Sequence, residues 1–160
     1  MAKEKKIVSI ENTRFIFRTN FSGDPERDSF GSTARKANII IPDEELALSL
    51  RDEGFNVKQT KPREGEEEDY IPKYFVSISV NYDSEWPPKV YLVTGKNMPV
   101  LLDEESIGIL DDVDILNVNL DIRPYDWDVN GKAGRTAYLQ GIEVTQRVDR
   151  FAARYAEEDM

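Results

Sequence analysis

The polar and apolar positions of the chain divide it into short segments, most of them with strand character. Residues 7–10 and 13–20 have strand composition, and Phe15 and Phe17 alternate with Arg14, Ile16 and Arg18. A long polar loop is predicted over 21–36, followed by a short strand over 37–41 that Pro42 ends. Residues 43–53 predict a helix. Asp43, Glu44 and Glu45 load its positive end, Leu46, Ala47 and Leu50 form an apolar stripe, and Gly54 stops it. A strand over 55–60 leads into a charged connector, 61–69, without a single apolar residue. Residues 73–82 alternate as a strand and are expected to pair with 89–94 as a hairpin across the Pro-rich turn 83–88. A short strand over 98–102 and a short helix over 103–110 come next. Residues 115–123 alternate clearly, 124–135 read as a loop containing Asn130, Gly131 and Gly134, and 136–146 form the last strand. Val148, Phe151, Ala152 and Tyr155 recur at helical spacing and predict a C-terminal helix.

Six to eight short strands and few helices, not in regular alternation, argue against a doubly wound parallel sheet. They fit a mainly β chain, an antiparallel β-barrel or sandwich with inserted short helices. Its 160 residues suffice for one domain, expected over 1–146, with a helix and short acidic tail over 147–160. No apolar run approaches the roughly 18 residues of a membrane span, and the charged start does not read as a signal peptide. A cytosolic protein is the expectation.

Composition narrows the chemistry. The chain has no Cys and no His. Disulfides, thiolate zinc sites, Ser-His-Asp and Cys-His hydrolases and His-based metalloproteases are therefore excluded. No Gly-rich phosphate loop is present. Asp126 and Asp128, with Asp121 nearby, have the residue type for Mg²⁺, but such a pair arises by chance in an acidic chain and often caps a turn. No metal and no cofactor are expected, and the chain is read as a non-catalytic binding protein.

Binding chemistry concentrates in 123–138, where Tyr125, Trp127 and Tyr138 stand among Arg123, Lys132 and Arg135. Single-stranded nucleic acid requires this mixture, because bases stack on aromatic faces while phosphates need cations beside them. Arg14 and Arg18, with Phe15 and Phe17, form a second cluster, and Lys73 and Tyr74, with Phe75, a third. The competing reading makes these aromatics core residues or covers of a barrel end. The net charge of −10 lowers the expectation of nucleic-acid binding without deciding it, because the local field governs binding.

The chain resembles bacteriophage single-stranded-DNA-binding proteins of the OB-fold kind. The motifs are Asn-Phe-Ser-Gly at 20–23, Gly-Phe-Asn-Val-Lys at 54–58, and the Arg-Pro-Tyr-x-Trp-x-Val-Asn-Gly-Lys-x-Gly…Ala-Tyr-Leu hairpin at 123–139. The similarity spans most of 10–146. It implies an OB-like antiparallel barrel that coats transient single strands in phage replication or recombination. Many such proteins end in a long acidic tail that recruits other replication proteins. Here only three acids, Glu157, Glu158 and Asp159, follow Arg154 and Tyr155, so recruitment through this segment stays open, as does homo-oligomerisation. The DNA-binding residues expected are Arg14, Arg18, Lys73, Tyr74, Arg123, Tyr125, Trp127, Lys132, Arg135 and Tyr138. The place of action would be the host cytoplasm. The alternative is an acidic phage interaction protein, an inhibitor or DNA mimic directed at a host nucleic-acid-binding protein.

Overall fold

A computed structural model describes residues 6–28, 30–95 and 98–147. Its strands are β1 (Val8–Thr13), β2 (Phe15–Asn20), β3 (Arg35–Ile41), β4 (Lys58–Gln59), β5 (Tyr74–Val80), β6 (Lys89–Thr94), β7 (Val100–Leu102), β8 (Ile115–Val129) and β9 (Lys132–Gln146). One helix, α1 (Glu44–Asp52), and two 3₁₀ turns, Pro25–Arg27 and Ile107–Asp111, complete the described residues. The helix begins where the charge pattern places it, with the Asp43 side chain accepting the Glu45 N–H as N-cap.

Strand order explains how the sheet closes. Its main path runs β1-β8-β9-β5-β3-β2. Arg14 alone separates β1 from β2, so the two are one bent strand that pairs with β8 at one end and β3 at the other. At the bend Asn12 takes φ 56°, the β1–β8 register shifts, and the Ile40 N–H donates to the Arg14 carbonyl at 3.1 Å. A five-stranded barrel with Greek-key order results, in which β5 and β9 run parallel and the other neighbours antiparallel. Inward alternation fills it with Ile10, Ile39, Ile78, Val118, Leu120, Ile122 and Leu139, and Ala47 and Leu50 of α1 join the same core.

The expected hairpin of 73–82 with 89–94 is not formed. Instead β6 lies parallel to the second half of β9, from Lys89↔Gly141 to Thr94↔Gln146, and β7 pairs antiparallel with β6. The reason lies in the edges. β3 takes one edge of β5, and β9 and β4 share the other, which leaves β5 no place for β6. The far half of β9 has a free edge, and Val90 and Leu92 bury themselves there opposite Ile142 and Val144. Alternation reports which face a strand buries and is silent about its neighbour.

The loop expected over 124–135 is a second correction. β8 and β9 pair from Ile115↔Gln146 to Val129↔Lys132, and only Asn130 and Gly131 remain between them. Both have positive φ, 53° and 79°, as a two-residue hairpin turn requires. Smaller differences follow the same logic. The strand expected over 55–60 shrinks to β4, with Phe55 making one isolated bridge to Arg135. The helix expected over 103–110 is the 3₁₀ turn Ile107–Asp111, and β3 starts at Arg35, inside the loop predicted over 21–36. The predicted C-terminal helix lies outside the described residues.

That loop is anchored by one carboxylate. Asp111, its side chain 2% exposed, accepts from Thr19 Oγ1 at 2.7 Å and from the N–H groups of Phe21 and Ser22 at 2.8 and 2.9 Å. Arg27 Nε stands 3.5 Å from its other side. Burial pushes the Asp111 carboxyl up, but the hydrogen bonds from Phe21, Thr19 and Ser22 outweigh it and hold the pKa below the ordinary value.

Candidate nucleic-acid interface

Directly opposed residues of paired strands project to the same side of a sheet. On β8 and β9 this rule groups Arg123 with Tyr138, Tyr125 with Thr136, and Trp127 with Gly134. The next strand adds Ser79 beside Tyr138, and β3 adds Lys36 beside Ser79 and Asn38 beside Ser77. One outer face thus carries four of the residues singled out in the sequence: Arg123, Tyr125, Trp127 and Tyr138. Tyr125 and Tyr138 meet edge to face, centroids 5.6 Å apart, and Tyr125 remains 54% exposed.

A groove of about 560 Å³ opens on this face, lined among others by Asn56, Ser77, Ser79, Trp127, Gly134 and Thr136. Among the described residues, no Asp or Glu lines it. A smaller depression that shares Gly54, Trp127, Ala133 and Gly134 with the groove does include Asp126 and Asp128. Glu11, Asp121 and Glu143 lie elsewhere, around a separate depression with Tyr91 and Asn119. The acidic groups are therefore unevenly spread, and the net charge does not describe this groove. Of the cations on the face, Lys36 is held by Asp28 at 2.6 Å. That ammonium, followed by the N–H of Ser32, draws the Asp28 carboxyl below its ordinary pKa.

Arg135 is buried, although it contributes to the lining of the groove. Its side chain is 1% exposed, its Nε and Nη2 donate to the two oxygens of Asp126 at 2.6 and 3.0 Å, and its guanidinium lies 5.4 Å from the centre of the Phe55 ring. A phosphate would have to displace all of these. The Asp126 carboxylate that the sequence offered as a metal ligand is committed to the same pair. Lys132, in contrast, is exposed directly after the Asn130–Gly131 turn.

Arg14, Lys73 and Tyr74 form a separate group. They line a second groove of about 550 Å³ with Pro42, Ile71 and Leu116. The Tyr74 hydroxyl donates to Glu44 Oε1 at 3.2 Å, and Arg51 stands 5.8 Å from its ring centre. Burial first, and the Glu44 carboxylate second, raise the Tyr74 pKa. Arg18 is exposed on β2 beside Phe17.

Phe17, named in the second cluster but not among the expected DNA-binding residues, is the aromatic that alternation misplaces. Regular alternation puts it inside with Phe15. Phe15 does pack on Phe21 with centroids 5.2 Å apart, but Phe17 has φ 63° and is 62% exposed. The β2–β3 register shifts after Ile16, and the Phe17 ring rests edge-on against Phe75, the next residue on the Ser77 side of β5. No signal in a single sequence announces a positive φ at a phenylalanine.

A five-stranded Greek-key barrel is the architecture of the OB-fold. The family model described as "Putative phage ssDNA-binding domain" matches residues 1–159, and the chain belongs to that family. Among solved structures it resembles the single-stranded DNA-binding protein from bacteriophage Enc34 in a C-terminally truncated form, with TM-score 0.55 and 9% identity over 89% of this chain and 87% of that one. The same phage protein in complex with ssDNA is similar at TM-score 0.54 and 10% identity, over 91% and 89% of the two chains. No curated protein matches the sequence. The likeness supports the mainly β, OB-like fold. Among the described residues, no helix is long and apolar enough to cross a membrane.

Proposed function

We propose that the chain binds single-stranded DNA without catalysis, in phage replication or recombination, on the outer face formed by β3, β5, β8 and β9. The observation that carries this reading is the convergence of Tyr125, Trp127 and Tyr138 beside a groove that, among the described residues, no carboxylate lines. Bases would stack on these rings, and Arg123 and Lys132 would hold phosphates. Phe17 and Arg18 extend the face along β2, and Arg14, Lys73 and Tyr74 would meet a strand that runs on past β5. Arg135 is reassigned from phosphate contact to holding the hairpin, because its guanidinium is buried against Asp126 and Phe55. Family membership and the likeness to a protein solved with ssDNA support the same reading. Recruitment of replication or recombination proteins through the C-terminal segment belongs to this proposal.

Titration with labelled oligo-dT at two salt concentrations, beside duplex of equal length, tests it. Single strands should bind better than duplex, because duplex bases are not free to stack. The logarithm of affinity should fall with the logarithm of salt, by about 0.7 per phosphate neutralised. Equal or stronger duplex binding, or a flat salt response, would refute the proposal. A flat response would favour the acidic inhibitor or DNA mimic, which needs a continuous negative face.

A further inference from the structure

Gly134 is half-buried in β9, where the backbone conformation does not require glycine. Its φ is not positive, and it pairs regularly with Trp127 on β8. A glycine inside a strand weakens the sheet, so its presence calls for a close approach. That approach is visible. A Cβ built on Gly134 would stand 2.5 Å from Cζ2 and 2.8 Å from Cε2 of the Trp127 indole. The ring therefore lies against the β9 backbone, in space that any side chain at position 134 would fill.

The indole and Gly134 both line the groove. Ser77, Ser79, Asn56 and Thr136 are the uncharged polar residues of the lining, beside Phe55, Val76 and Arg135, and their side chains make no hydrogen bond to other described residues. A flat apolar wall facing unpartnered hydroxyl and amide groups suits a ligand with an aromatic face and polar edges. Resting on the reading of this face as a single-strand site, we propose that Gly134 is a positioning residue. It seats the Trp127 indole flat on β9 and so sets the wall of a slot for one nucleobase.

The test uses the full chain with Trp86→Phe, which leaves Trp127 as the one tryptophan; Trp86 lies in the 81–88 connector and does not line the groove. Gly134→Ala, Gly134→Val and Trp127→Ala are compared with this parent. Three readouts are taken: Trp127 emission without DNA, affinity for oligo-dT, and affinity for an abasic deoxyribose-phosphate oligomer of equal length. Gly134→Ala should shift the emission to longer wavelength as the ring lifts into water. It should weaken oligo-dT binding about fivefold or more, as Trp127→Ala does, since one stacked base carries at least that factor. Gly134→Val should weaken it at least as much. Abasic binding should stay within about twofold of the parent, and the melting temperature should hold, because alanine is the better strand residue. Unchanged emission and oligo-dT affinity in Gly134→Ala would overturn the proposal. So would equal losses for oligo-dT and the abasic oligomer, or a loss that only follows the unfolded fraction. If the parent fails to bind oligo-dT, the functional reading falls and the slot with it; if the parent binds and Gly134→Ala loses nothing, the slot alone falls.

Discussion

Removing the Asp126 carboxylate isolates what holds the aromatic hairpin in place. The Arg135 guanidinium is 1% exposed and Asp126 is 35% exposed, so the two halves of the pair are not equivalent. Asp126→Asn leaves a buried cation with one neutral acceptor, the Phe55 ring and the field of Glu53. Arg135→Met leaves a carboxylate that water can reach, and keeps most of the apolar stem. Breaking a fully buried pair from one side costs about 3–5 kcal/mol. Partial exposure of Asp126 and the retained amide reduce this, and about 2–3 kcal/mol is expected for Asp126→Asn. About 1–2 kcal/mol is expected for Arg135→Met, mostly packing. For a domain of this size those losses correspond to roughly 2–4 °C per kcal/mol in melting temperature. The double variant should cost less than the sum, by about 1 kcal/mol or more, because the second change removes the charge that the first stranded. Urea denaturation of the four proteins measures all of these terms. An Arg135→Met loss larger than that of Asp126→Asn, or strict additivity, would refute the assignment of Arg135 to the frame of the hairpin.

Tyr125→Ala and Trp127→Ala should each cost about 1–3 kcal/mol in oligo-dT binding, with a smaller loss of stability, checked by titration and thermal melting of the same samples. A melting loss near the 3–5 kcal/mol typical of a core aromatic would show instead that Trp127 is part of the core. Arg123→Ala and Lys132→Ala should each lower the magnitude of the salt slope by about 0.7, while Arg135→Met should leave the slope unchanged. Asp111 supplies a pH test. Its pKa is lowered on folding, so its contribution is complete above the unfolded value near 3.8 and is lost as pH falls through the folded value. Asp111→Asn should therefore flatten the dependence of stability on pH below about 4, and an unchanged acid limb would contradict the anchoring role.

The fold was legible where alternation sufficed and illegible where partner choice mattered. Val118, Leu120 and Ile122 face the core as their period of two predicts. α1 was readable because Asp43, the Leu46–Ala47–Leu50 stripe and Gly54 are local signals. The parallel run of β6 on β9 was not readable, because it depends on which edges the barrel leaves free. The tail of β8 was misread for a different reason. Asp126, Asp128, Asn130, Gly131 and Gly134 supply turn composition, yet Tyr125, Trp127 and Val129 keep a period of two throughout. Composition was allowed to outweigh period. Asn130–Gly131 alone is enough to turn a hairpin, so the residues before it were free to continue the strand.

The same distinction governs the candidate site. Arg123, Tyr125, Trp127 and Tyr138 were found together because strand pairing brings neighbours in sequence onto one face. Arg14, Lys73 and Tyr74 resemble them in composition but line another groove, since residue type says nothing about which barrel edge a side chain reaches. Arg135 shows the cost of judging by charge alone. Its sign matched a phosphate contact, and its position, two residues before Ala137 on the inward side of β9, sends it to Asp126 and Phe55 instead. Gly134 and Trp127 face each other because both lie on the outward side, so parity on β9 separates the residue that holds the hairpin from the residue that shapes its surface. That parity was available in the sequence once 124–135 is written as two paired strands. Phe17 was not available in that way, since its exposure comes from a φ of 63° that breaks the alternation. Surfaces built on regular pairing can thus be read forward from a correct hairpin register, whereas those that depend on a bulge require the backbone itself.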